Sequence, residues 1–123
     1  MNSTNTLSKR EKLRSRKEIL SVQNRGTKIH TKDFILVYRA LEGDTSRFAV
    51  TVSKKVDKRA VVRNKIKRQV RALFRTHKKF FNNSIEIVYI AKRNAKNCDY
   101  KEIKRQIIGS LRYHKVIHSE GKS

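Results

Sequence analysis

The chain has no proline and only four glycines, Gly26, Gly43, Gly109 and Gly121. Nothing in it reads as a linker, and 123 residues suit one domain with one core rather than two. A single cysteine, Cys98, excludes a disulfide within the chain and any cysteine-based zinc site. No stretch reaches the roughly 18 apolar residues that would span a bilayer. Met1 to Leu7 is polar with no apolar run behind it, so it is not a secretory signal. These absences predict a soluble, cytoplasmic protein. Hydrophobic residues are also sparse, at 37%, so the core must be small. No internal repeat is found.

Acids are the scarcest class relative to their opposites. Ten Asp and Glu stand against 32 Lys and Arg, a formal net charge of +22. Such self-repulsion opposes a compact state, and a polyanion relieves it. Nucleic acid leads, because each phosphate neutralised releases condensed counterions; an anionic membrane surface comes second.

Local patterns then place the elements. Residues 1–14 read as a basic extended arm. Ser15-Arg16-Lys17-Glu18 fits a capping box, Ile19, Leu20 and Val22 follow, and Gly26 supplies the stop of a short helix. Arg25 to His30 is a weak strand. Asp33 to Leu41 is a strong one, its apolar run Phe34 to Tyr38 suggesting cover on both faces. Arg47 to Ser53 alternates, and the short turn before it predicts an antiparallel hairpin with the preceding strand. Residues 59–81 form the longest helical pattern. Val62, Ile66, Val70, Leu73, His77 and Phe80 make its apolar stripe, and Arg63, Lys67, Arg71 and Arg75 recur at steps of four on another face. Ser84 to Ala91 is a fourth strand. Asp99 to Glu102 fits a second capping box ahead of a helix carrying Ile103, Ile107 and Leu111. From Lys115 the chain reads as a flexible tail. The prediction is a single α+β domain over 15–114, in the order α-β-β-β-α-β-α, with helices packed on one sheet.

Between Ser53 and Lys79 only one acid, Asp57, interrupts a dense run of Lys and Arg. An ordinary solvated helix mixes signs on its polar face, and like charges at steps of four repel. The physical reading is a phosphate-binding helix, with arginine adding two-pronged phosphate geometry that lysine lacks. Within it, Arg63-Asn64-Lys65-Ile66-Lys67-Arg68 resembles the arginine-asparagine-arginine signature of the bacterial ribonuclease P protein family. Val52-Ser53-Lys54-Lys55 resembles the strand end that precedes that signature, and Ala60-Val61-Val62 fits as well. The resemblance spans roughly residues 7 to 114 and is most specific over 50–75.

The resemblance implies a four-stranded mixed sheet with a left-handed β-α-β crossover, against the usual hand. It implies that Arg63, Asn64, Lys65, Lys67, Arg68 and Arg71 dock on a catalytic RNA. A cleft between the first helix and the sheet would hold the single-stranded 5′ leader of precursor tRNA, through Ile19, Val22, Tyr38, Lys54 and Lys55. Chemistry would belong to the RNA subunit and Mg2+ bound by RNA and substrate; this chain would bind no metal alone and need no protein partner. The sequence departs from the pattern in three places. Ile19 and Gln23 occupy positions that are phenylalanine in many members, Lys65 replaces the second arginine, and Asp57-Lys58-Arg59 stands where a glycine is common.

Catalytic readings of the chain itself are weak. His30, His77, His114 and His118 show no metal-ligand spacing with acids, His77 sits on an apolar stripe, and His114 with His118 form only a lone i, i+4 pair. Phe34, Phe48, Phe74, Phe80 and Phe81 fall on stripes expected in the core. The rival functions are a basic ribosomal or general RNA-binding structural protein, a nucleoid-type DNA binder and a free-standing nuclease.

Overall fold

A computed structural model describes residues 11–13, 15–43 and 45–118. The elements are α1 (Arg16–Arg25), β1 (Thr27–His30), β2 (Phe34–Ala40), β3 (Arg47–Thr51), α2 (Ala60–His77), β4 (Ile85–Ala91) and α3 (Tyr100–Tyr113), with a 3-10 turn at Lys78–Phe80 and another at Arg93–Asn97. This is the predicted α+β order. The strands lie β1-β2-β4-β3; β1 with β2 and β2 with β4 are antiparallel, β3 with β4 parallel.

The expected hairpin between β2 and β3 does not form. β4 lies between them, because its residues are buried on both faces and only a central position covers both. The 41–46 connection need only cross one strand, about 10 Å between next-nearest neighbours. The hairpin that does form joins β1 to β2.

Register assigns each face. On one face His30, Ile35, Ile90 and Thr51 form a row across the four strands. Lys28, Val37, Val88 and Ala49 form the next, and Arg39, Glu86 and Arg47 the third. α1 packs here, and Val22 shares a small core with Leu13, Val37, Ala49 and Val88. The opposite face carries Phe34, Leu36, Phe48, Ile87 and Tyr89, which join Ile66, Val70, Leu73 and Phe74 of α2 and Ile103, Ile107 and Leu111 of α3 in the main core. Phe48 and Phe74 stack there with ring centroids 4.3 Å apart.

The capping box on α1 is complete: the Glu18 N–H donates to Ser15 Oγ at 3.0 Å, and the Ser15 N–H to Glu18 Oε1 at 3.3 Å. Gly26 ends the helix for want of space rather than for a left-handed turn, since its φ is −81°. A methyl group added there would stand 2.8 Å from the carbonyl oxygens of Val22 and Tyr38 and from Val37 Cγ1. The second capping box is only half made. Asp99 accepts from the Glu102 N–H at 2.8 Å, but the Glu102 carboxylate turns to Arg105 and Gln106.

The chain expected to be a flexible tail is packed as far as His118. α3 closes with Lys115 at φ 61°, the Lys115 N–H donating to Arg112 O and the Val116 N–H to Leu111 O. That reversal returns Val116 and Ile117 to the core, where Ile117 bridges Phe81. It also separates His114 from His118, which share no helical face. Residues 119–123 lie outside the described residues. So do residues 1–10 of the expected arm; of the remainder, Lys12 bridges Phe48 on the outer edge of β3.

His77 is the buried group whose charge the fold opposes. Burial pushes its imidazole down to about 4, with the Leu73 carbonyl acting weakly the other way, and Tyr89 Oη lies 3.3 Å from Nε2. The neutral ring is therefore the folded form. Stability should fall as pH drops from about 6.5 towards 4, by on the order of 3 kcal/mol from this group. Urea denaturation at pH 7 and 4.5 measures it, and His77→Leu should remove that component. Gly26→Ala should cost about 1–3 kcal/mol in the same assay, whereas Lys115→Gly, which frees a left-handed position, should gain up to about 1 kcal/mol.

Candidate nucleic-acid interface

The positive end of α2 is where the charge concentrates. Its N-cap, Arg59, makes no side-chain cap and its first turn holds no acid. The positive dipole end thus lies just ahead of Arg63, Asn64 and Lys65, where the Val62 and Arg63 N–H groups already donate to the Arg59 carbonyl at 3.2 Å. Asp57, the lone acid of the segment, is already engaged. It accepts from the Arg59 N–H at 2.8 Å, from Nε at 3.0 Å and from the guanidinium at 2.9 Å. Those bonds hold its carboxyl well below the usual carboxylate range.

Successive positions four apart turn by roughly 40° on a helix. The Arg63, Lys67, Arg71, Arg75 row therefore starts beside the core and winds outward. Arg63 is half-buried and its guanidinium donates to the carbonyls of Asp57 and Lys58 at 3.0 and 2.7 Å, fastening the loop that leads into α2. Asn64, Lys65 and Arg68 are exposed; Lys67 and Arg71 are half-buried. Among the described residues, none of Lys65, Lys67, Arg68 or Arg71 takes part in an ion pair. The face is an array of donors with no counter-charge, which suits a row of phosphates.

A second surface lies on the α1 side of the sheet. α1 covers the rows centred on Val37 and Glu86. It leaves Ile35 and Ile90 half-buried at the margin of the small core, with Ile19 of α1 in the same position, and His30 exposed at the end of their row. The other end of that row is Thr51, from which the chain runs to the exposed Lys54 and Lys55. α1 is held over the sheet by polar bonds. Glu86 pairs with Arg39 at 2.8 Å and Arg47 at 3.4 Å. Arg47 reaches Glu18 at 3.0 Å, and Arg39 donates to Ser21 Oγ at 3.0 Å. At the β3 edge a cavity of about 170 Å³ is lined by Lys12, Ile19, Ala49 and Arg71, so the two surfaces meet there.

Residues 7–115 match the family model described as Ribonuclease P. The chain belongs to the ribonuclease P protein family. It is 36% identical over 111 residues to the ribonuclease P protein component of Petrotoga mobilis, covering 87% of this chain and 93% of that one. It is 38% identical over 102 residues to that of Syntrophus aciditrophicus, covering 83% and 85%. Among solved structures it resembles the RNase P protein of Staphylococcus aureus, with a TM-score of 0.79 and 28% identity over 88% of this chain and 98% of that one.

With the ribonuclease P protein fold in view, the expected site residues separate. Arg63, Asn64, Lys65, Lys67, Arg68 and Arg71 do share one helix. Ile19, Lys54 and Lys55 are accessible. Val22 is 0% exposed and cannot touch a leader; it seats α1. Tyr38 is on the wrong face: it alternates with Val37, pairs with Thr27 and Ile87, and packs against the main core under α2 and α3. Ile35 and Ile90 were missed, although strand alternation from Val37 and Val88 would have found them.

Arg68→Ala should lower the salt slope of RNA binding by about 1 without altering stability, since the side chain is exposed and unpaired. Arg63→Ala should weaken binding and also lower stability by about 1 kcal/mol, because two loop carbonyls lose their donor. Titrations between 50 and 200 mM salt with parallel urea melts separate the two effects.

Proposed function

We propose that α2 docks on the RNA subunit of ribonuclease P and that the α1 face of the sheet receives the 5′ leader of precursor tRNA. Membership of the family carries the subunit role in tRNA processing. The observation that supports the docking is the uncompensated cationic face of α2. It starts one turn into the helix, and the acid preceding it, Asp57, is neutralised by Arg59.

The division of labour follows from the chemistry of the groups. Guanidinium and ammonium groups are hydrogen-bond donors only and offer no lone pair to a hard cation. This face therefore positions phosphates, while Mg2+ and the bond-breaking step belong to RNA and substrate. By neutralising phosphates that would otherwise repel one another, the chain lowers the Mg2+ concentration at which the RNA subunit and the precursor associate. In the cleft, Ile19, Ile35 and Ile90 give an apolar surface that tolerates any base, and Lys54 and Lys55 supply charge for the leader backbone. With no aromatic ring at positions 19 or 23, that contact rests more on charge than on stacking. The reaction takes place in the cytoplasm, where precursor tRNA is found.

Precursor-tRNA cleavage by a bacterial ribonuclease P RNA transcript at low Mg2+, with and without this chain, tests the reading. The chain should restore accurate removal of the 5′ leader and tighten precursor over mature tRNA by at least about tenfold, or 1.4 kcal/mol. RNA binding without rescue would overturn it in favour of a general RNA-binding protein.

A further inference from the structure

A cavity of about 380 Å³ opens between the end of α2 and α3, on the face of the sheet opposite α1. Tyr100, Lys104 and Arg112 line it from one side of α3, at multiples of four residues, and Lys79 and Phe80 face them from the end of α2. No carboxylate lines it. Among the described residues, none of Lys79, Lys104 and Arg112 is in an ion pair. His77, 4% exposed, also lines it. Lys79 Nζ lies 5.4 Å from the Phe80 ring centroid and His118 meets that ring edge-on at 5.4 Å. A rim of cations without counter-charge around two aromatic rings combines the two elements that recognise an unpaired nucleotide: charge for the phosphate and a flat apolar surface for the base.

We propose that this cavity is a second RNA contact, binding one nucleotide of a single-stranded segment, with its base against Tyr100 and Phe80 and its phosphate on Lys104 and Arg112. It rests on the reading that the partner is RNA, but it is separate from the leader cleft, being on the other side of the sheet. A precursor or RNA-subunit strand leaving α2 at its C-terminal end would meet it next, since Lys79 continues the cationic run of the helix.

Titration of the full chain with adenosine 5′-monophosphate, followed by NMR, tests the inference, with inorganic phosphate as the parallel probe. The nucleotide should shift the amides of Thr76, Tyr100 and Ile108 and the ring of His77. Lys104→Glu with Arg112→Glu should weaken it at least about tenfold. Tyr100→Ala should weaken the nucleotide about tenfold and leave phosphate binding unchanged. All three positions are exposed, so unperturbed spectra elsewhere verify the fold. Shifts confined to Ile19, Ile35, Lys54 and Lys55 would overturn the inference. So would equal affinity for phosphate and nucleotide, which would mark a charge effect without a base site. The low-Mg2+ cleavage assay reads the leader function independently, so leader rescue by the wild-type chain with no nucleotide shifts at the cavity overturns this proposal alone.

Discussion

β4 is buried on both faces, and the architecture follows from covering it. One face is closed by α1 and the other by α2 and α3. Most of the few hydrophobic residues are used in doing so, and cations are left on the outside of α2 and at the mouths of the two faces. A domain with so little apolar sequence holds its second layer partly by polar means. Glu86, nearly buried, gathers Arg39 and Arg47, and these fasten α1 through Ser21 and Glu18. On the other face, the buried Asp33 does the same for α3. Burial alone would raise its pKa, but bonds from Gln106, Cys98 and Asn94 outweigh that and hold it lowered.

How much of this could be read from the sequence depended on the range of the signal. The Ser15–Glu18 box and the Gly26 stop are local, and both elements formed where their residues placed them. The apolar stripe of α2 was legible because its period is long and unbroken, and the charge row beside it was legible for the same reason. The neighbours of β2 were not. Turn chemistry reports that two strands run antiparallel, as β2 and β3 do, but says nothing of a third strand arriving later to separate them. Tyr38 was misplaced for a related reason. A run of five apolar residues carries no alternation, so only pairing with β1 and β4 decides which side chain faces which layer. Val116 and Ile117, two apolar residues in a charged context, gave too short a pattern to outweigh their surroundings.

The α2 face and the α1 side of the sheet are built differently. The face of α2 is a rigid rack of cations whose spacing is set by helix geometry. The α1 side is an apolar margin whose width depends on where α1 sits, and hence on the Glu86 pairs. A rigid charged face and an adjustable apolar one are thereby set on different parts of a small molecule, and they meet near Arg71 and Ile19.

The bridge from Lys12 to Phe48 has a consequence for assembly. β3 is an edge strand, and an open edge offers unpaired N–H and C=O groups to any other strand. The Leu13 N–H, bonded to Phe48 O at 2.9 Å, occupies part of that edge, and the lysine beside it puts a charge at the rim. The segment preceding α1 thus acts as a guard against strand-to-strand aggregation. A chain of net charge +22 thus covers part of its β3 border with its own backbone.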